Sequence, residues 1–173
     1  MRTIFTTAEV APKNRFDYWH SVACKNLVDH DSWPQSRNTF QAALKCGTLG
    51  SIGLVLIENS PMTVAHTARH IAHANSDDYF LCRQMAGRFA LEQEGRKIVL
   101  ESGDMALIDP RLPYGGVFSD SSRMLVLKLP RLLLERRVGE TSRGSAARRV
   151  SHQRSCHSCP IIPTGSPRKP SMS

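Results

Sequence analysis

Three histidines spaced by four and three residues, His66, His70 and His73, are of the type that suits metal chemistry. Imidazole together with a carboxylate is a common ligand set for iron or zinc in barrel-shaped enzymes. Such centres use a His-x-His, a later Glu and a further His. The chain lacks the His-x-His, and the residue after Pro113, where a ligand His often sits, is Tyr114. A metalloenzyme built on His66, His70 and His73 is therefore the alternative reading, set against solvent-facing histidines between strands. Cys156-His157-Ser158-Cys159, with His152 nearby, has zinc-like spacing. A closed zinc site, however, needs four ligands held by a fold, and no strand or helix pattern surrounds these residues.

Arg83 raises a different chemistry. Along residues 79–85 a period of two places Leu81, Arg83 and Met85 on one face. If that face lines a pocket, the guanidinium is a bidentate partner for a carboxylate ligand; if it lies outside, Arg83 is a solvated charge. With Met105 and Tyr114 from the strands that follow, these five residues are the expected small-molecule lining.

The elements that must position them are mostly strands. Residues 89–93 and 96–100 read as a hairpin around Glu94-Gly95, where glycine takes the positive φ of a tight turn. Leu100 to Tyr114 reads as two more short strands joined at Gly103-Asp104, giving a meander. Further strands are expected at 40–44, 52–58, 63–67, 79–86 and 124–129, punctuated by glycine and proline, which indicates a barrel or sandwich. Before them, Pro12 fits a first helical turn, and Phe16, Trp19, Ala23 and Leu27 then make one apolar stripe, so that this helix packs on the barrel.

Charge separates the chain into two parts. Of 23 Lys+Arg and 15 Asp+Glu, residues 136–173 hold eight basic groups and Glu140 as their single acid. Seven of the eight net positive charges therefore fall in this segment. There Val138, Val150, Ile161 and Ile162 are the only Leu, Ile, Val or Phe residues, too few to offset the entropy of ordering. The expected division is a folded domain over residues 1–137 and a basic, Ser/Arg/Pro-rich disordered tail over 138–173. Arg136-Arg137 and Arg148-Arg149 suit at most loose, sequence-independent contact with nucleic-acid phosphates. No apolar run has the length of a signal peptide or a membrane span, so a cytoplasmic location is expected. Five cysteines, Cys24, Cys46, Cys82, Cys156 and Cys159, form no regular framework and suit reduced thiols.

Gly87, Gln93-Glu94-Gly95-Arg96, Leu100, Gly103-Asp104 and Pro113-Tyr114, together with Asn14 to Trp19, resemble the ligand-sensing domain of AraC/XylS-type transcription regulators. The resemblance spans roughly residues 5–135. It implies a mainly β, cupin-like barrel or jelly-roll with an N-terminal helix packed on it. It also implies a small-molecule effector, association as a homodimer through outer helices, and neither an enzymatic activity nor a cofactor. Regulators of this type carry paired helix-turn-helix units after the sensor. The proline-rich tail resembles none, so specific DNA binding by this chain alone is not expected, and a truncated or frameshifted regulator is the reading of the tail.

Overall fold

The alternating apolar strands close into two facing antiparallel sheets in a computed structural model, which describes residues 3–74, 77–138 and 149–150. In chain order the elements are β1 (Thr3–Thr6), α1 (Arg15–Asn26), β2 (Asp31–Pro34), β3 (Ala42–Leu49), β4 (Ile52–Asn59), β5 (Met62–His66) and α2 (Ala68–His73). They continue as β6 (Asp78–Ala86), β7 (Phe89–Gln93), β8 (Arg96–Leu100), β9 (Met105–Ile108), β10 (Tyr114–Phe118), β11 (Ser122–Pro130), α3 (Arg131–Val138) and β12 (Arg149–Val150). One sheet runs β1-β3-β4-β11-β6-β9-β12 and the other β2-β5-β10-β7-β8. Their inner faces meet in one core, which contains Phe40, Leu44, Ile57, Phe80, Leu91, Leu100, Phe118 and Val126. Fully burying side chains of this size is worth about 1.5–3 kcal/mol each. The result is the mainly β, cupin-like jelly-roll.

Helix α1 closes one side of the barrel, because Phe16, Trp19 and Ala23 fall on one face and pack around Phe40. The Phe16 and Trp19 rings meet Phe40 edge-on at 5.2 and 5.7 Å. Leu27 lies just past the helix end and is half-buried against the same core. Strands β1 and β2 and helix α2 carry too little periodicity to stand out in the sequence. Each is short, and β1 and β2 take their places by pairing with β3 and β5.

The hairpin at Glu94-Gly95 forms as expected, with φ of 51° and 72° at its two turn residues. The Gly103-Asp104 turn does something else. It carries the chain from β8, in the five-stranded sheet, to β9, which pairs with β6 in the other. The meander reading fails here because the turn bonds to β6: Gly103 N–H donates to Gln84 O at 2.8 Å, and Gln84 N–H to Asp104 O at 2.9 Å. Gly103 holds φ at +97°, and the Asp104 carboxylate accepts the Glu101 N–H at 2.9 Å. Leu100, fully buried, is drawn across with the chain.

A buried arginine ties the far end together. Arg131, first residue of α3, donates to Asp109 Oδ1 at 2.6 Å and Asp77 Oδ1 at 3.0 Å, and its guanidinium lies 3.8 Å from the Tyr79 ring centre. Asp109 is also held through its backbone by Gln93, which donates to Asp109 O and accepts the Asp109 N–H. Of residues 138–173, Val138 ends α3, and Arg149–Val150 pair with Ala106 and Met105 of β9. The expected disorder of the remainder, and the Cys156–Cys159 motif, lie outside the described residues. Cys24, Cys46 and Cys82 are free thiols. No helix among the described residues is long and apolar enough to cross a membrane.

Candidate ligand-binding site

The barrel encloses a lumen of about 60 Å³ between the two sheets and α1. Its walls are Ile57, Val64, Phe80, Phe89, Ile108, Phe118 and Val126, with Met62 and Met124. Trp19, His30, Asn59, Cys82 and Tyr114 also border it. Two polar atoms among these residues are buried and have no hydrogen-bond partner, the Trp19 indole N–H and the Asn59 Oδ1; the other side of the Asn59 amide donates to Ser60 O at 2.9 Å. An unpartnered buried donor or acceptor costs about 1–3 kcal/mol.

The lumen is electrically neutral near pH 7. Burial pulls His30 down to about 4, against the opposing hydrogen bond to Val28 O, so the ring is uncharged. Burial also pushes the Cys82 thiol up to about 12, and pushes the Tyr114 hydroxyl above its ordinary value, helped by the nearby thiols. An ionised ligand entering here would give up its hydration without meeting a fixed charge.

Of the five side chains expected to line a pocket, Tyr114 borders the lumen, whereas Leu81, Arg83, Met85 and Met105 do not. Strand β6 takes the other register: Phe80, Cys82 and Gln84 are buried, while Arg83 and Met85 are exposed and Leu81 is half-buried on the outer face. Met105 sits opposite Arg83 in the ladder and shares that outer side. A one-residue phase change moves every side chain of a strand to the other face, and both faces of this strand offer apolar residues. Gln84 is admitted inside because its amide donates to Ser122 Oγ at 2.6 Å and Ala86 O at 2.7 Å. Asn59 ends a strand that also carries Glu58, and Trp19 belongs to the apolar stripe of α1, so neither stands out in the sequence as a residue bordering the lumen.

The three histidines of the metal alternative are not brought together as ligands. His66 is buried with its ring nitrogens 2.6 and 2.8 Å from the carbonyl oxygens of Asp29 and Pro110, so it clamps two loops. His70 caps α2: its Nδ1 accepts the Thr67 N–H at 3.0 Å. His73 is exposed. Both ring nitrogens of His66 and the Nδ1 of His70 are thus engaged in structural hydrogen bonds.

A second, open groove of about 680 Å³ runs along the outside, bordered by Thr7, Arg15, Glu58, Ser122 and Arg123. Its cations are occupied, Arg15 with Val10 O at 2.9 Å and Arg123 with Glu58 at 3.3 Å. Asn59 borders both the groove and the lumen and stands in the wall between them.

The sequence profile of the AraC-binding-like domain matches residues 19–155, from α1 through β12. The chain belongs to the AraC-binding-like domain family. It is 28% identical over 123 residues to the transcriptional activator NphR of a Rhodococcus species, a match covering 69% of this chain and 36% of NphR. The crystal structure of the AraC-like transcriptional activator CuxR superposes with a TM-score of 0.68 at 20% identity, over 79% of this chain and 51% of CuxR. The chain thus spans about a third of NphR and half of CuxR, and the likeness to CuxR is one of fold.

Proposed function

We propose that the chain is the effector-sensing part of an AraC-type regulator, not an enzyme, acting in the cytoplasm, and that its effector is a small, neutral, largely apolar molecule held in the barrel lumen. The observation that carries this reading is the unpartnered pair Trp19 N–H and Asn59 Oδ1 in a lumen that is otherwise apolar and uncharged. A hydroxyl-bearing molecule supplies both an acceptor for the indole and a donor for the amide. A volume of about 60 Å³ takes only a few waters, so the effector must enlarge the space. Met62 and Met124 are the walls able to give way, because an unbranched thioether side chain repacks at low cost. Ligand pockets are usually larger, and the enlargement is the step that reports occupancy to α1 through Trp19.

Association as a homodimer through α3 fits this reading, since Leu132 and Leu133 are exposed on that helix. Specific recognition of DNA is not expected of this chain by itself: the described residues hold α1 packed on the barrel and the short α2 and α3, each separated from the next by strands, and no helix-turn-helix pair.

The test is two-dimensional NMR of the protein against matched pairs of small hydroxylated molecules and their carboxylate analogues. A neutral compound that binds is expected to shift the Trp19 indole N–H and leave that of Trp33, which lies exposed on β2, in place. Asn59→Leu should abolish the shift, and Arg83→Leu should leave it unchanged. Preferential binding of the carboxylates, or a response that survives Asn59→Leu, would move the site out of the lumen.

A further inference from the structure

Beside the lumen, one cluster of side chains has the composition of a metal centre. His20 and Cys24 lie one turn apart on α1, and His30 approaches them from the loop before β2. One ligand atom from each lies within 4.8 Å of the other two. The Cys24 Sγ is 3.7 Å from His20 Nε2 and 3.7 Å from His30 Nδ1. Two ligands about 2.3 and 2.0 Å from a tetrahedral zinc ion stand about 3.5 Å apart, so both separations are near what coordination requires.

The surroundings prepare the ligands. His20 Nδ1 is 2.7 Å from Ser32 Oγ, which leaves Nε2 turned to the thiol, the arrangement by which an outer hydrogen bond orients a metal-bound imidazole. The His30 Nδ1–H now donates to Val28 O at 2.8 Å, so ligation through Nδ1 moves the ring proton to Nε2 and exchanges that bond for the ion. Asp29 and Asp31 flank the site and add negative potential that favours a cation, and the Cys24 thiol gives up its proton on ligation. His20 and Cys24 are half-exposed, so an ion reaches them from solvent.

We propose that His20, Cys24 and His30 bind a thiophilic d-block cation of the zinc class, with a solvent molecule completing the coordination. One thiolate and two imidazoles select such ions over magnesium or calcium. The site fastens α1 to the loop 28–32, and His30 also borders the lumen, so the ion stiffens one wall of the effector cavity. The ligand set is independent of what the lumen binds.

The experiment is a cobalt(II) titration of the full chain carrying Cys156→Ser and Cys159→Ser, so that thiols near the C-terminus contribute nothing. One equivalent of cobalt should produce the near-ultraviolet thiolate-to-cobalt band, and one equivalent of zinc should bleach it. Cys24→Ser should remove the band, whereas Cys46→Ser should preserve it. His20→Ala should weaken binding at least tenfold. His30 is buried, so His30→Gln accompanies His30→Ala, and at least one of them should fold and bind at least tenfold more weakly. No band at stoichiometric cobalt, or a band that persists in a folded Cys24→Ser protein, overturns the assignment.

Discussion

Replacing Arg131 by methionine should be among the most damaging single changes away from the lumen. The guanidinium is almost fully buried and makes a 2.6 Å bond to Asp109, whose carboxylate is itself largely buried. Removing one partner of such a pair leaves the other charge without compensation, at about 3–5 kcal/mol. Asp77 is two-thirds exposed, so its 3.0 Å contact adds only about 0–1 kcal/mol, and loss of the Tyr79 ring contact adds a similar amount. Some relief comes from the Arg111 N–H, which still donates to Asp109 Oδ1 at 3.0 Å. A net loss of about 4 kcal/mol is therefore expected, a large fraction of the ~5–15 kcal/mol available to a domain. At about 3 °C per kcal/mol the melting temperature should fall by ~12 °C. Urea unfolding of Arg131→Met, Asp109→Asn and the double variant measures the pair directly: the double variant should be more stable than the two single losses added together, by about 2 kcal/mol or more. A single-variant loss under about 1 kcal/mol, or strict additivity, would refute the reasoning.

Three other outcomes are expected. Because His30 titrates near 4 when folded and near 6.5 when unfolded, the unfolded chain takes up the extra proton between these values. Stability is therefore full above pH ~6.5 and falls by roughly 3 kcal/mol on acidification through to pH ~4; His30→Gln should flatten that slope in pH-dependent urea melts. Gly116→Ala should destabilise by about 1–3 kcal/mol, since a Cβ there would stand 2.4 Å from the Phe89 ring, and thermal unfolding at wild-type-like values would contradict the packing. Cys82, with its thiol pushed up to about 12 by burial, should resist alkylation in the native protein while Cys24 and Cys46 react, and mass spectrometry showing early labelling of Cys82 would mean that β6 opens.

The chain by itself determined its class. Short apolar stretches separated by glycine and proline dictate paired strands, and Phe16, Trp19 and Ala23 at helical spacing dictate a helix with one buried face; both follow from local periodicity, which a sequence displays directly. The Glu94-Gly95 hairpin was legible for the same reason, because a turn needing positive φ is written in the turn residues themselves. What the tertiary structure decided is everything that depends on which strand lies beside which. The turn at Gly103-Asp104 looks local, yet its hydrogen bonds go to Gln84, some twenty residues away, and they turn an apparent hairpin into a crossing between sheets. Strand β6 carries apolar side chains on both faces, so its phase was set by the neighbours that Phe80, Cys82 and Gln84 meet inside, and Arg83 went to solvent. His66 could be read as a ligand until the loops holding Asp29 and Pro110 were seen to close on it. That Trp19 and Asn59 border one lumen with unpartnered atoms is visible only in the fold, since an unpartnered hydrogen-bonding atom is a property of surroundings and not of residue type.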